Sequence, residues 1–110
     1  MPFSTIAGAL PLLYQTEWCP SSRRVRQRLT ELDVTFVAVP VPVERDERNG
    51  LFAATGTRSI PTLVAEDDGL IVGEDEILDY LNSRFDEPLG ATAHRLKAAK
   101  AHRKLLEEAA

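Results

Sequence analysis

Leu10-Pro11-Leu12-Leu13-Tyr14-Gln15 is a short apolar run, and Thr35-Phe36-Val37-Ala38-Val39-Pro40 is a second, rich in β-branched residues. Between them the hydrophobic period changes. Over Ser21–Leu32, Val25, Leu29 and Leu32 share one helical face, while Arg23, Arg26 and Gln27 fall mostly elsewhere. A strand from about Leu12, a helix, and a second buried strand make a βαβ unit, so the two strands should run parallel with a right-handed crossover. Pro20 suits the first turn of that helix, where its missing N–H costs nothing.

Outward from this unit, the polar stretch Pro42–Arg48 leads into Leu51-Phe52-Ala53-Ala54, read as one short helix ending near Gly56. The segment Arg45-Asp46-Glu47-Arg48 reads as a solvated face. Thr62–Ala65 and Leu70–Val72 are strand candidates, and Glu66-Asp67-Asp68-Gly69 between them is a hairpin signal, so this pair should be antiparallel. Asp75–Arg84 predicts a helix with Ile77, Leu78 and Leu81 inward, broken by Phe85–Gly90. Thr92 is a candidate cap for a last helix to about Glu108, with Leu96, Ala99, Leu105 and Leu106 on a weak apolar stripe. That stripe would dock on the sheet or pair with a second copy of the chain. The order β-α-β-α-β-β-α predicts an α/β fold with a four-stranded mixed sheet and an extra C-terminal helix. Tyr14 is expected in its core.

Composition sets bounds on function. The 110 residues suffice for one small domain, with 44% hydrophobic and 27% charged residues. A net charge of −4 argues against a general nucleic-acid binder. No apolar run approaches a membrane span. Residues 1–9 read as a loose leader rather than a secretory signal, because no basic flank precedes the apolar part. The single cysteine rules out an intramolecular disulfide and suits a reducing, cytoplasmic setting.

Three segments carry chemistry. In Trp18-Cys19-Pro20-Ser21-Ser22 the thiol sits at a strand-to-helix junction. Free helix-end amides favour the nucleophilic thiolate there, and Arg23 and Arg24 follow within a turn or so. A buried structural cysteine is the alternative; Trp, Pro and two serines at an element boundary are poor core neighbours. Ser22 holds the place of a second, resolving cysteine, so a second sulfur would come from another molecule. In Thr55–Leu63, Pro61 opens a strand, which proline tolerates. A trans bond is the default there, whereas a cis bond would present the Ile60 backbone to an extended peptide. In Val72-Gly73-Glu74-Asp75-Glu76, the acids complement a helix dipole. They also suit a zwitterion, with free amides taking a carboxylate and Asp75 an ammonium. His94 and His102, about 80° apart around the last helix, read as surface residues, and no metal site is expected. Trp18 is expected to pack over the mouth of the site.

Together these segments resemble the glutaredoxin family within the thioredoxin-like fold, over about Leu10–Phe85. Trp18-Cys19-Pro20-x-Ser22 resembles its Cys-Pro-x-Cys site with serine second, and Arg24-Val25 sits where the family often has a basic then a small apolar residue. Thr55-Gly56-x-Arg58-Ser59-Ile60-Pro61 is similar to its Thr-Gly-x-Arg-Thr-Val-Pro segment, whose proline is cis. Gly73-Glu74-Asp75 resembles part of its Gly-Gly-x-Asp motif. The layout, including Ile77-x-x-Tyr80-Leu81, is also similar to the N-terminal domain of glutathione transferases.

The resemblance implies a monothiol thiol–disulfide oxidoreductase whose co-substrate is glutathione or another low-molecular-weight thiol. Cys19 would be the nucleophile, and Arg58, Ile60, Pro61, Glu74 and Asp75 would hold the thiol peptide. Trp18, Pro20, Ser22 and Arg24 would support them. Mixed-disulfide proteins would be partners. The alternatives are an iron–sulfur carrier in which two chains share a cluster, and a non-catalytic binding module of the transferase type. Residues 10–85 would form the domain and 86–110 a linker and helix. Two departures from the family stand out: Glu17 places negative charge near the sulfur, and Val72 replaces the first glycine of the Gly-Gly motif.

Overall fold

Helix-period and strand-period segments alternate as the sequence implies, and a computed structural model describes residues 10–65 and 69–109. The leader expected at 1–9 and the turn expected at 66–68 lie outside the described residues. Strand β1 is Leu12–Gln15, helix α1 Pro20–Glu31 and strand β2 Val37–Pro40. A 3-10 turn at Arg45–Glu47 precedes helix α2, Asn49–Thr55. Strands β3 (Thr62–Ala65) and β4 (Gly69–Val72) follow, then helices α3 (Glu74–Arg84) and α4 (Ala91–Ala109). The sheet order is β2-β1-β3-β4, with β1 parallel to β2 and both other pairs antiparallel. This is the α/β thioredoxin-like arrangement with an added C-terminal helix.

The alternation of strand side chains decides where the core lies. Leu13 and Leu63 are paired across β1 and β3, and Leu63 faces Ile71 in β4. On that face they meet Val25, Leu29 and Leu32 of the first helix region and Ile77 and Leu81 of α3. Each fully buried aliphatic side chain here contributes on the order of 1.5–3 kcal/mol from burial alone. The opposite face is only partly covered: Val37, Leu70 and Val72 are exposed and Tyr14 is half-buried. Tyr14 is therefore not a core residue, because its neighbour Leu13 takes the inward side. Strand β2 is likewise not buried, since it forms an edge of the sheet.

Other details depart from expectation. The helix expected after Pro42 divides into the 3-10 turn and α2, and α2 ends where Gly56 adopts φ 81°. Arg48, between them, is not on a solvated face. It is 7% exposed, and its guanidinium donates to the carbonyls of Pro42 (2.9 Å), Val43 (3.0 Å) and Arg58 (3.0 Å). Leu78 is only partly buried in α3. Thr92 lies inside α4 rather than capping it. The stripe Leu96, Leu105 and Leu106 is exposed, so it does not dock on the sheet. Instead α4 leans on α1 through charge: Arg95 pairs with Glu31 and Glu87, and Arg28 pairs with the same two carboxylates.

Candidate functional site

Strand register brings three distant segments to one end of the sheet. Tyr14, near the end of β1, pairs with Thr62 at the start of β3, and Thr62 pairs with Val72 at the end of β4. The chain leaving β1 toward Cys19, the chain entering β3 through Ile60-Pro61, and the chain leaving β4 into Gly73-Glu74-Asp75 therefore share that end. The Gly73 N–H donates to the Pro61 carbonyl at 2.9 Å, joining two of the segments directly. Arg24 reaches from α1 to Glu74 at 3.0 and 3.2 Å, joining α1 to the third.

Cys19 is the N-cap of α1, with Pro20 at the first helical position. Its backbone is extended (φ −75°, ψ 119°), which turns Sγ back over the helix start. The Ser22 N–H donates to Sγ at 3.4 Å, so an otherwise unpaired helix-end amide is spent on sulfur. Partial burial pushes the thiol up. Ser22, the Ser21 amide and the positive charge of Arg26 outweigh it and hold the thiol below its ordinary value. The Ser22 hydroxyl adds to this although it lies outside strict hydrogen-bond geometry to Sγ. It is fully buried, with no hydrogen-bond partner among the described residues.

The positive charge that acts on Cys19 is thus that of Arg26, not of Arg23 or Arg24, which stand closer to it in sequence. Arg26 donates to the Gln15 side chain and the Thr16 carbonyl, which fixes it under the loop. Glu17 is drawn to Arg26 at 3.7 Å and accepts from the Gln15 amide at 3.2 Å, so its negative charge is partly compensated there. Trp18, beside Cys19, is 59% exposed.

The Ile60–Pro61 bond is cis. Thr62 Oγ1 donates to the Ser59 carbonyl at 2.7 Å, and the Ser59 N–H donates to Thr57 Oγ1 at 3.1 Å, so short side chains pin the approach to Pro61. Arg58 donates to Asn49 Oδ1 at 3.0 Å and lies 4.6 Å from the Phe52 ring centroid. Arg48, absent from the sequence-derived candidates, holds the Arg58 carbonyl. An arginine within a run of mixed charges gives no local signal that it is buried.

Gly73 has φ 97° and ψ 154°, a region open essentially only to glycine, and it starts α3. Asp75 is exposed in the first turn and Glu74 half-buried against Arg24. Arg24 pairs with Glu74, which offsets part of the negative charge that Glu74 brings to the start of α3. His94 and His102 are both exposed, and His102 Nδ1 lies 3.2 Å from Arg23. Among the described residues no group of three or more His, Cys, Asp or Glu is placed to hold a metal ion, and no helix is long and apolar enough to cross a membrane.

Residues 13–89 match the family described as glutathione S-transferase, N-terminal domain. Among solved structures, a glutathione S-transferase domain-containing protein of Marinobacter aquaeolei VT8 is 34% identical, with TM-score 0.57, over 70% of this chain and 40% of that one. A glutathione S-transferase of Rhodospirillum rubrum is 31% identical, with TM-score 0.59, over 72% of this chain and 35% of that one. Wheat glutaredoxin shares the fold at 21% identity, with TM-score 0.55, over 74% of this chain and 78% of that one. The chain thus spans about two fifths or less of the length of the two transferases. No curated protein matches it significantly.

Proposed function

The chain belongs to the glutathione S-transferase N-terminal domain family, and from that premise we propose that it binds glutathione and uses Cys19 in monothiol thiol–disulfide exchange. The observation that carries this reading is Cys19 at the α1 N-cap, its sulfur accepting from Ser22 and its thiol held below the ordinary value. A purely structural cysteine has no need of either feature.

In the reaction, glutathione lies along the Ile60-Pro61 backbone, its γ-glutamyl end at the α3 amides and Asp75, and Arg58 within reach of its glycine carboxylate. The Cys19 thiolate attacks the glutathione sulfur of a mixed disulfide. The Cys19–glutathione bond forms, the original S–S bond breaks, and the other half leaves as a thiolate. A second glutathione thiolate then attacks the Cys19 adduct, releasing glutathione disulfide and restoring the Cys19 thiolate. Ser22 cannot resolve the adduct from within the chain, so the second thiol must come from solution.

The test is turnover of hydroxyethyl disulfide in a glutathione reductase-coupled assay, comparing the wild type with Cys19→Ser. Cys19-dependent turnover is expected. Equal background rates for both proteins, alongside measurable glutathione binding, would reassign the chain as a binding module without redox turnover.

A further inference from the structure

Helix α4 has 19 residues, yet Ala91 is the one buried among those described. Leu96, Leu105 and Leu106 are exposed, so its hold on α1 is polar. The two helices run antiparallel. Near the end of α1, Arg95 meets the carboxylates of Glu31, at 3.5 Å, and Glu87, and Arg28 binds the same pair at 3.0 and 2.8 Å. Two turns further along α4, near the start of α1, Arg23 Nη2 lies 3.2 Å from His102 Nδ1. Arg23, Arg24 and Gln27 from α1 and Ala98, Ala99 and His102 from α4 border a groove of about 460 Å³ there.

The second contact fixes a protonation state. A guanidinium has N–H donors and no acceptor, and it stays charged. Nδ1 must therefore accept, which leaves the His102 ring neutral with its hydrogen on Nε2. A protonated ring donates from both nitrogens, so it loses this bond and sets a second cation against Arg23. What faces His102 offers no compensation. Arg24, on the same groove, is paired with Glu74. No carboxylate among the described residues is paired with His102 or Arg23. On α4 itself Lys100, Arg103 and Lys104 stand close in sequence, and Glu107 and Glu108 come more than a turn later. The first contact behaves differently. Burial raises Glu31, but Gln27, Arg28 and Arg95 outweigh it, and Arg28 and Arg95 hold Glu87 below the usual carboxylate range. Both acids stay ionised where an imidazole ordinarily changes charge, between about pH 5 and 8.

We propose that α4 is a pH-operated strap: its C-terminal half lies on α1 while His102 is neutral and lifts away when the ring takes up a proton, with Arg95 as the fixed end. The sign follows from the contact. Docking needs the neutral ring, so it is complete above the imidazole range and is lost as pH falls through it. Release bares the Arg23–Gln27 flank of the helix that carries Cys19 as its N-cap. This inference does not rest on the glutathione reading.

Hydrogen exchange read by mass spectrometry on the intact chain tests it, with rates corrected for the intrinsic pH dependence of amide exchange. Between about pH 7.5 and about pH 5.5, protection over 99–108 should fall about three- to fivefold, the scale of one exposed polar contact, while the sheet strands stay protected. His102→Gln still accepts from Arg23 but cannot be protonated, and should keep its protection at both pH values. His102→Lys, charged throughout, should lack it at both. His94→Gln, which removes the other histidine, should respond like the wild type. Wild-type protection that ignores pH, or a fall of the same size in His102→Gln, overturns the proposal. So does a fall that the sheet strands share, which would be loss of the whole fold and not of the strap.

Discussion

Arg48→Met should be the most damaging single substitution outside the hydrophobic core. The guanidinium is nearly buried and donates to three carbonyls, those of Pro42, Val43 and Arg58, at 2.9 to 3.0 Å. Hydrogen bonds to a charged group are worth about 1.5–3 kcal/mol each, and an orphaned buried acceptor costs on a similar scale. Pro42 and Val43 are exposed, so water can replace much of what they lose. The Arg58 carbonyl, in a half-buried residue, has less access. The net loss should be about 3 kcal/mol, which for a domain of this size lowers the melting temperature by roughly 10 °C or more. Arg48→Lys keeps one donor group but not the planar fork, and should recover about half of that. Urea unfolding followed by circular dichroism measures both. A loss below about 1 kcal/mol for Arg48→Met would refute the reasoning, showing that the loop closes without the arginine. The same change frees the chain two residues before Ile60-Pro61, so KM for glutathione should rise more than kcat falls.

Three further outcomes are expected. Burial pushes the Glu31 carboxyl up, but Gln27, Arg28 and Arg95 outweigh it and hold it below the usual carboxylate range. Its contribution to stability is therefore present above the unfolded value near 4.3 and is lost as pH falls through the lower folded value; Glu31→Gln should flatten the acid limb of the urea midpoint against pH. Arg26→Gln removes a positive charge that lowers the Cys19 thiol, so alkylation of Cys19 by iodoacetamide at neutral pH should slow about two- to threefold; an unchanged rate would show that the helix-end amides act alone. Gly73→Ala meets open space but forces a side chain onto φ 97°, and should cost about 1–3 kcal/mol in urea unfolding; a neutral result would mean that the start of α3 relaxes freely.

Much of the fold was legible because it rests on local period and local chemistry. The βαβ unit follows from β-branched runs flanking Val25, Leu29 and Leu32, and the helix start from Pro20. Burial was less legible. Tyr14 and Arg48 were both misplaced, one as core and the other as solvated. Which sheet face is covered, and which loop folds over a guanidinium, depends on partners remote in sequence. The apolar stripe on α4 allows docking on the sheet or pairing with a second copy, and its solvent-facing leucines rule out the first. What holds α4 is the exchange among Arg28, Glu31, Glu87 and Arg95, whose members come from α1, the linker and α4.

The sequence by itself determined the order of strands and helices, the lone thiol at a helix start, and which three segments are proposed to hold a thiol peptide. Those are properties of neighbouring residues and of period along the chain. Tertiary structure alone decided that the segments share one end of the sheet, through the Tyr14–Thr62–Val72 register. It also decided which arginine does what: Arg26 supports Cys19, Arg24 pairs with Glu74, and Arg23 faces the groove with α4. Four arginines within six residues look alike in sequence. Only the turn of the helix, and what lies across from each face, tells them apart.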